Sequence, residues 1–160
     1  MSKCYIHYGS ESFDIKRFEK ITNVESFTKP DGGFWASPLC AKYGWIDFIN
    51  DNSDMNFVNT ILKFKFYVDE KANIFHIFST NDLYKLPGVM RKSGTYCIDF
   101  EKCVDAGYDA IELHLSEEKI IRKEENEFNK LSFTNRLRWK LSSWDCDSIL
   151  ILNPKIIIEV

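Results

Sequence analysis

Three short segments of this 160-residue chain carry side chains that could do chemistry together. They combine an imidazole, several aromatic rings and a pair of carboxylates. An imidazole can bond a hydroxyl, an aromatic ring can stack on a planar ring, and a carboxylate can stabilise positive charge. Taken singly, each has a structural alternative: a histidine that ends a strand, tryptophans of the core, or acids that cap a strand. Only the joint pattern favours a site. In chain order the segments span 6–10, 32–38 with 43–45, and 144–151.

The order and content of these segments resemble the diphtheria-toxin and poly(ADP-ribose) polymerase branch of the ADP-ribosyltransferases. The run His-Tyr-Gly-Ser at 7–10 looks like the first-strand motif of that family, with Tyr where the family usually has Gly. The run Gly-Phe-Trp-Ala-Ser at 33–37 looks like the second motif. Trp45 stands where a stacking aromatic is expected, with Tyr43 as the alternative. The run 147–151 looks like the third motif, with Asp where the family usually has Glu. In having Asp at this position, the set of three motifs is similar to that of the phage anti-CRISPR ADP-ribosyltransferases.

This resemblance implies an enzyme that transfers ADP-ribose from NAD+ to a protein or nucleic-acid acceptor. Cleavage of the nicotinamide–ribose bond passes through an oxocarbenium-like state, which a fixed carboxylate stabilises more than the ground state. The resemblance assigns that catalytic role to Asp147, because it places Asp147 at the mouth of a strand and Asp145 one pleat away. An NAD glycohydrolase and a catalytically inactive binding module of the same fold remain alternatives.

The resemblance also implies which residues bind NAD+ as a co-substrate. His7 would bond a hydroxyl of the adenosine ribose, and the backbone of Tyr8 would hold the nicotinamide carboxamide. Trp45 or Tyr43 would stack on the nicotinamide ring, while Ser37 would bond the carboxamide or a phosphate. The full set of expected cofactor-binding residues is His7, Tyr8, Gly9, Trp35, Ser37, Tyr43 and Trp45.

Hydrophobic patterning predicts one α+β domain over residues 1–160, without a linker or a repeat. Alternation of apolar residues with lysines at 61–68 predicts a strand with one buried face. Further strands are predicted at 3–8, 34–36, 74–78, 108–115, 148–152 and 156–160, and helices at 13–21, 99–106, 116–131 and 134–141. The resemblance implies split, bent antiparallel sheets with short flanking helices. It also leads us to expect the first and the penultimate strands side by side, with His7 and Asp147 at opposite rims of a ring-lined slot.

Composition argues against several other classes of protein. The net charge of −3 leaves no basic surplus to attract nucleic-acid phosphates. The chain has no glycine-rich nucleotide-binding motif, no HExxH and no paired-cysteine motif, so no metal is expected. Five cysteines without a CxxC pair, and a start without a secretory apolar run, predict reduced thiols, a cytoplasmic location and no membrane partner.

Glu112 is a rival acid. It alternates with Ile111 and Leu113, which predicts an exposed position rather than one in a pocket. His76 is interpreted as structural for a similar reason, and no partner is assigned to His114.

Overall fold

The computed structural model describes residues 3–26, 28–52, 59–94, 96–114 and 144–160. The helices predicted at 116–131 and 134–141 lie outside these residues. The described part contains nine strands and two α-helices. They are β1 (Cys4–Tyr8), β2 (Phe34–Pro38), α1 (Trp45–Asp51), β3 (Lys63–Val68), β4 (Ile74–Ile77), β5 (Gly88–Met90), β6 (Tyr96–Ile98), α2 (Phe100–Asp105), β7 (Ala110–Leu113), β8 (Ser148–Ile151) and β9 (Ile157–Glu159).

Seven strands form one sheet in the order β4-β7-β8-β2-β1-β3-β9, and β5 pairs with β6 separately. All pairings of the large sheet are antiparallel except β4 with β7, which is parallel. The predicted α+β class is therefore confirmed. The expected adjacency of the first and penultimate strands is wrong, because β2 lies between β1 and β8.

Strand β2 changes its partner along its length. Its residues Phe34, Trp35 and Ala36 pair with β8, whereas Ser37 and Pro38 pair with β1. Beyond this point the end of β1 pairs only with β3, to which it remains joined as far as Tyr8. The sheet therefore splits between β1 and β2, and a gap opens there.

Two hydrophobic clusters cover the two faces of the sheet. Leu150 belongs to the cluster that contains α2, whereas Ile149 and Ile151 belong to the other. This alternation along β8 follows the pleat of a strand, in which successive side chains point to opposite faces. Strand β3 likewise buries Phe64, Phe66 and Val68 and exposes the residues between them, as predicted.

The helix predictions had mixed outcomes. Asp99 caps α2 by accepting the Lys102 N–H at 3.1 Å, and Gly107 follows the helix with φ of +82°, as predicted. Residues 13–21 contain only a 3-10 turn, Ile15–Arg17, none of which is buried. A helix this short depends on burying an apolar face, so the turn does not extend. None of the helices in the described ranges is long and apolar enough to cross a bilayer.

Two glycines with a left-handed backbone provide a test of the loop that leads into β2. A Cβ at Gly32 (φ +72°) would lie 2.5 Å from the carbonyl oxygen of Lys20, whereas a Cβ at Gly107 (φ +82°) would meet nothing within 4 Å. A left-handed conformation costs an L-residue about 1–2 kcal/mol. We expect Gly107→Ala to lower the free energy of unfolding by about that amount. Gly32→Ala should lower it clearly further, because the backbone must also move. Urea denaturation measures both, and equal losses would contradict the structure of this loop.

Candidate functional site

The gap between β1 and β2 opens into a cavity of about 160 Å³. An apolar cavity of roughly 150 Å³ holds one benzene molecule. The cavity is therefore of the size of a single planar ring rather than of a whole dinucleotide. Five of the eight residues predicted for the site line it, namely His7, Tyr8, Trp35, Ser37 and Trp45.

His7 spans the split in the sheet. Its Nδ1 lies 2.8 Å from the carbonyl oxygen of Trp35, so Nδ1 carries the proton and donates. Burial lowers the pKa of His7, and this hydrogen bond only partly opposes the shift. The ring is therefore neutral near pH 7, and Nε2 can accept a hydrogen bond from a ligand hydroxyl. Gly9 leaves room beside Nε2, since a Cβ there would lie 3.8 Å away.

Two indole rings form the aromatic walls. Trp35 packs edge-on against Trp144, with ring centroids 4.7 Å apart, and the Lys29 ammonium lies 5.0 Å from the Trp35 centroid. Trp45 stacks on Phe48 at 5.4 Å. Each indole is thus held by a neighbouring ring, so the walls are preorganised for a planar ligand.

Ser37 joins one wall to the sheet. Its hydroxyl oxygen accepts the backbone N–H of Trp45 at 2.9 Å, which fixes the first residue of α1 against β2. Asp47 completes this helix start by accepting the Gly44 N–H at 2.8 Å. Tyr8 also lines the cavity, and its pKa is raised by burial and by the negative charge of Asp47. The cavity volume exists with Tyr8 in place, so Tyr8 forms a wall and does not plug the slot.

The structure does not bring Gly9, Tyr43 and Asp147 to the lining of the cavity. The Gly9 N–H donates to the carbonyl oxygen of Leu62 at 2.8 Å. The Tyr43 hydroxyl donates to Asp51 at 3.0 Å. Of the two aromatic residues predicted to stack on a ligand, Trp45 is the one that lines the cavity.

Asp147 does not line the cavity, although its neighbours Cys146 and Ser148 do. It is buried, and its N–H donates to the Tyr43 carbonyl oxygen at 2.9 Å. Ser148 lines the cavity, so the pleat directs Asp147 to the opposite face, with Ile149. Consistently, burial lowers the pKa of His114 on that face, and the charges of Glu112 and Asp147 oppose this shift. Asp147 is therefore not among the residues that line the slot with His7, contrary to the expectation.

The carboxylate that the structure does bring to the cavity is Asp145, which is exposed at its edge. Its neighbour Cys146 also lines the cavity, but burial raises the pKa of this thiol to about 12. Since the thiolate is the nucleophilic form, Cys146 cannot act as a nucleophile at neutral pH. Sequence reasoning also missed Lys29. Its loop was predicted from Pro and Gly, and nothing in that pattern indicates where its cation lies.

Glu112 corrects another expectation. It was predicted to be exposed, yet its side chain is fully buried, with the Lys3 ammonium 2.5 Å from Oε1. The reason is the position of β7, which lies between β4 and β8 and is buried along its whole length. In an interior strand, alternation does not indicate a solvent-exposed face.

No protein-family model matches this chain, and neither does any curated protein or solved structure. A function for the chain must therefore be argued from the cavity and from the chemistry of its walls.

The tautomer and the pKa of His7 can be measured directly. We expect nitrogen-15 NMR to show the Nδ1–H form at pH 7 and a titration midpoint below the usual value of about 6.5. Because the pKa is lower in the folded chain, the unfolded chain binds the proton more readily as the pH falls below about 6.5. The free energy of unfolding should therefore decrease as the pH is lowered, and His7→Gln should remove part of this dependence. A midpoint at or above 6.5 would contradict a buried, neutral ring.

Proposed function

We propose that the cavity binds the nicotinamide ring of NAD+ and that this domain transfers ADP-ribose to a macromolecular acceptor. One observation carries the proposal. The imidazole, the two indoles and a carboxylate, which come from three distant segments of the chain, line a single cavity of one-ring size.

The walls suit a positively charged planar ring. The nicotinamide of NAD+ is such a ring, and an indole face attracts a cation. Lys29 already places its ammonium against the Trp35 ring, which indicates that this face accepts positive charge. Because the cavity holds only one ring, the ribose and diphosphate would lie outside it. Nε2 of His7 can then accept a ribose hydroxyl, and Lys29 is a cation placed to pair with a phosphate.

The proposed reaction breaks the bond between nicotinamide nitrogen and ribose C1′. Nicotinamide leaves with the electron pair, and the positive charge spreads over the ribose ring. An acceptor nucleophile forms the new bond to C1′ and gives up its proton. A carboxylate near the mouth stabilises the transition state more than the ground state. We assign this role to Asp145, in place of Asp147, because Asp145 lines the cavity.

A binding module without catalysis is the second candidate. Its supporting observation is that the residue of β8 that lines the cavity is Ser148, whose hydroxyl donates to the Cys146 carbonyl oxygen at 3.0 Å. On that reading the ring site is retained while Asp145, exposed and screened by water, contributes little to chemistry. An NAD glycohydrolase differs from the transferase only in using water as the acceptor.

Loss of the Trp45 ring should weaken binding of nicotinamide. Stacking of a base on an aromatic side chain contributes about 1–3 kcal/mol, so we expect Trp45→Ala to raise the Kd by roughly tenfold or more. Tyr43→Ala is the matched control, since Tyr43 is the neighbouring aromatic outside the cavity. It should change the Kd by less than about twofold. Calorimetry with nicotinamide and with NAD+ gives both values, and similar losses in the two variants would argue against a ring site at Trp45.

The assignment of the carboxylate is tested by two isosteric variants. With labelled NAD+ and cell extract, we expect Asp145→Asn to lower the transfer rate by roughly 10²–10³-fold. Asp147→Asn should retain most of it. The reverse result in a folded Asp147→Asn would return the role to Asp147. Nicotinamide release without label transfer would select the glycohydrolase, and NAD+ binding without either would select the binding module.

A further inference from the structure

Three side-chain atoms that could bind a metal ion lie close together on the face of the sheet that carries Ile149. His76 Nδ1 lies 3.2 Å from His114 Nε2 and 3.1 Å from Glu112 Oε2. The third separation, between His114 Nε2 and Glu112 Oε2, is 3.6 Å. Two imidazole nitrogens and one carboxylate oxygen thus form a nearly equilateral triangle, which we call the His–Glu–His triad.

The parallel pairing of β4 with β7 produces this triangle. Its register places His76 beside Glu112, and His114 follows two residues later, on the same side of the pleat. The His114 N–H continues the ladder by donating to the Ile77 carbonyl oxygen at 3.0 Å. Phe78 then stacks on the His114 ring, with centroids 4.2 Å apart and planes 14° apart. The orientation of the imidazole is therefore fixed by the backbone and by a neighbouring ring.

The two oxygens of Glu112 have different surroundings. Oε1 accepts from the Lys3 ammonium at 2.5 Å. Oε2 is buried and accepts no hydrogen bond from the described residues, although a ring nitrogen lies 3.1 Å away. The directions of donor and acceptor therefore do not fit a hydrogen bond at this contact. A buried acceptor without a partner is unfavourable, and a cation at the centre of the triad would provide one.

We propose that His76, Glu112 and His114 bind a divalent first-row transition metal ion, for which zinc is the representative. Two histidines and one carboxylate are a ligand set that zinc and iron use in proteins. A circle through the three ligand atoms has a radius of about 1.9 Å, and zinc binds nitrogen and carboxylate oxygen at about 2.0–2.2 Å. An ion slightly out of their plane therefore reaches all three atoms without rearrangement.

The surroundings provide orientation, charge and access. Lys3 holds Oε1 and so positions Oε2 as a single-oxygen ligand, as outer partners of metal ligands do. Asp147 adds a carboxylate beside His114, next in register after the pairing of Leu113 with Ser148. The His76 side chain is 41% exposed, so the ion can enter there and keep a coordination position open to water. None of the three triad residues lines the ring cavity, so the test of the triad is independent of the ring site.

The experiment uses the full chain, stripped of metal with a chelator and titrated with zinc chloride in a calorimeter. We expect one equivalent to bind with a Kd in the micromolar range or below. His76→Gln is the main variant, because this partly exposed residue can be replaced without disturbing the core. It should weaken binding by at least tenfold and should remove the zinc-dependent rise in Tm. His7→Gln is the matched control, with zinc affinity as its only readout, and it should bind zinc like the unaltered chain.

Cobalt separates the triad from the cysteines. Cys40 is exposed and could bind zinc independently. Cobalt bound by the triad should show visible ligand-field bands without the near-ultraviolet thiolate band, and Glu112→Gln should abolish them. The absence of one-equivalent zinc binding would overturn the proposal. Equal affinity in the unaltered chain and His76→Gln, or a thiolate band, would overturn it as well.

Discussion

The change of partner along β2 is the constraint on which the candidate ring site depends. Where β2 turns from β8 to β1, backbone groups at the end of β1 and in β2 lose their partners in the ladder. Buried backbone groups need such partners. The His7 ring supplies one by donating to the Trp35 carbonyl oxygen. The gap can therefore stay open without an unsatisfied carbonyl at Trp35, and the same bond leaves Nε2 of His7 available to a ligand.

A second constraint is the pleat of β8, because neighbouring residues at its start face two different sites. Ser148 faces the cavity, and Asp147 faces the polar cluster around Glu112. A shift of one residue in the pairing of β8 would exchange these positions, because the period of side chains along a strand is two. The register is held on one side by β2 and on the other by β7, so the exchange would also move every buried side chain of β8.

The sequence indicated those parts of the fold in which one face is polar. Lysines alternate with apolar residues in β3, and Asp99 and Gly107 mark the two ends of α2, so these elements were predictable. Strands β7 and β8 are buried on both faces, and such runs do not show which side chain points where. For this reason the exposure of Glu112 was predicted wrongly. The resemblance assigned the catalytic role to Asp147, whereas Asp145 is the carboxylate that lines the cavity.

Helix α1 was missed because it is only seven residues long, and its start depends on contacts that periodicity does not show. Its first N–H bonds the Ser37 hydroxyl, a contact that exists only after β2 has formed. The convergence of His7, Trp35 and Trp45 was suggested by the order of motifs. That Lys29 lines the cavity and that Asp147 does not could be seen only in the folded structure.

Buried Glu112 connects β7 with the start of the chain. Burial alone would raise the pKa of Glu112, but the contact with His76, the hydrogen bond and charge of Lys3 and the charge of His114 outweigh it, so the net pKa is lowered and the carboxylate stays charged. A buried charge is tolerated only when paired. Two groups near the start of the chain interact with it: Lys3, which precedes β1, and Tyr5 of β1, whose pKa is raised by burial and by the charge of Glu112. Strands β1 and β7 are three positions apart in the sheet, which is about 14 Å at the usual spacing between strands. The ion pair of Lys3 with Glu112 therefore joins the start of the chain to β7 across β8 and β2, the two strands that contribute Ser148, Trp35 and Ser37 to the cavity.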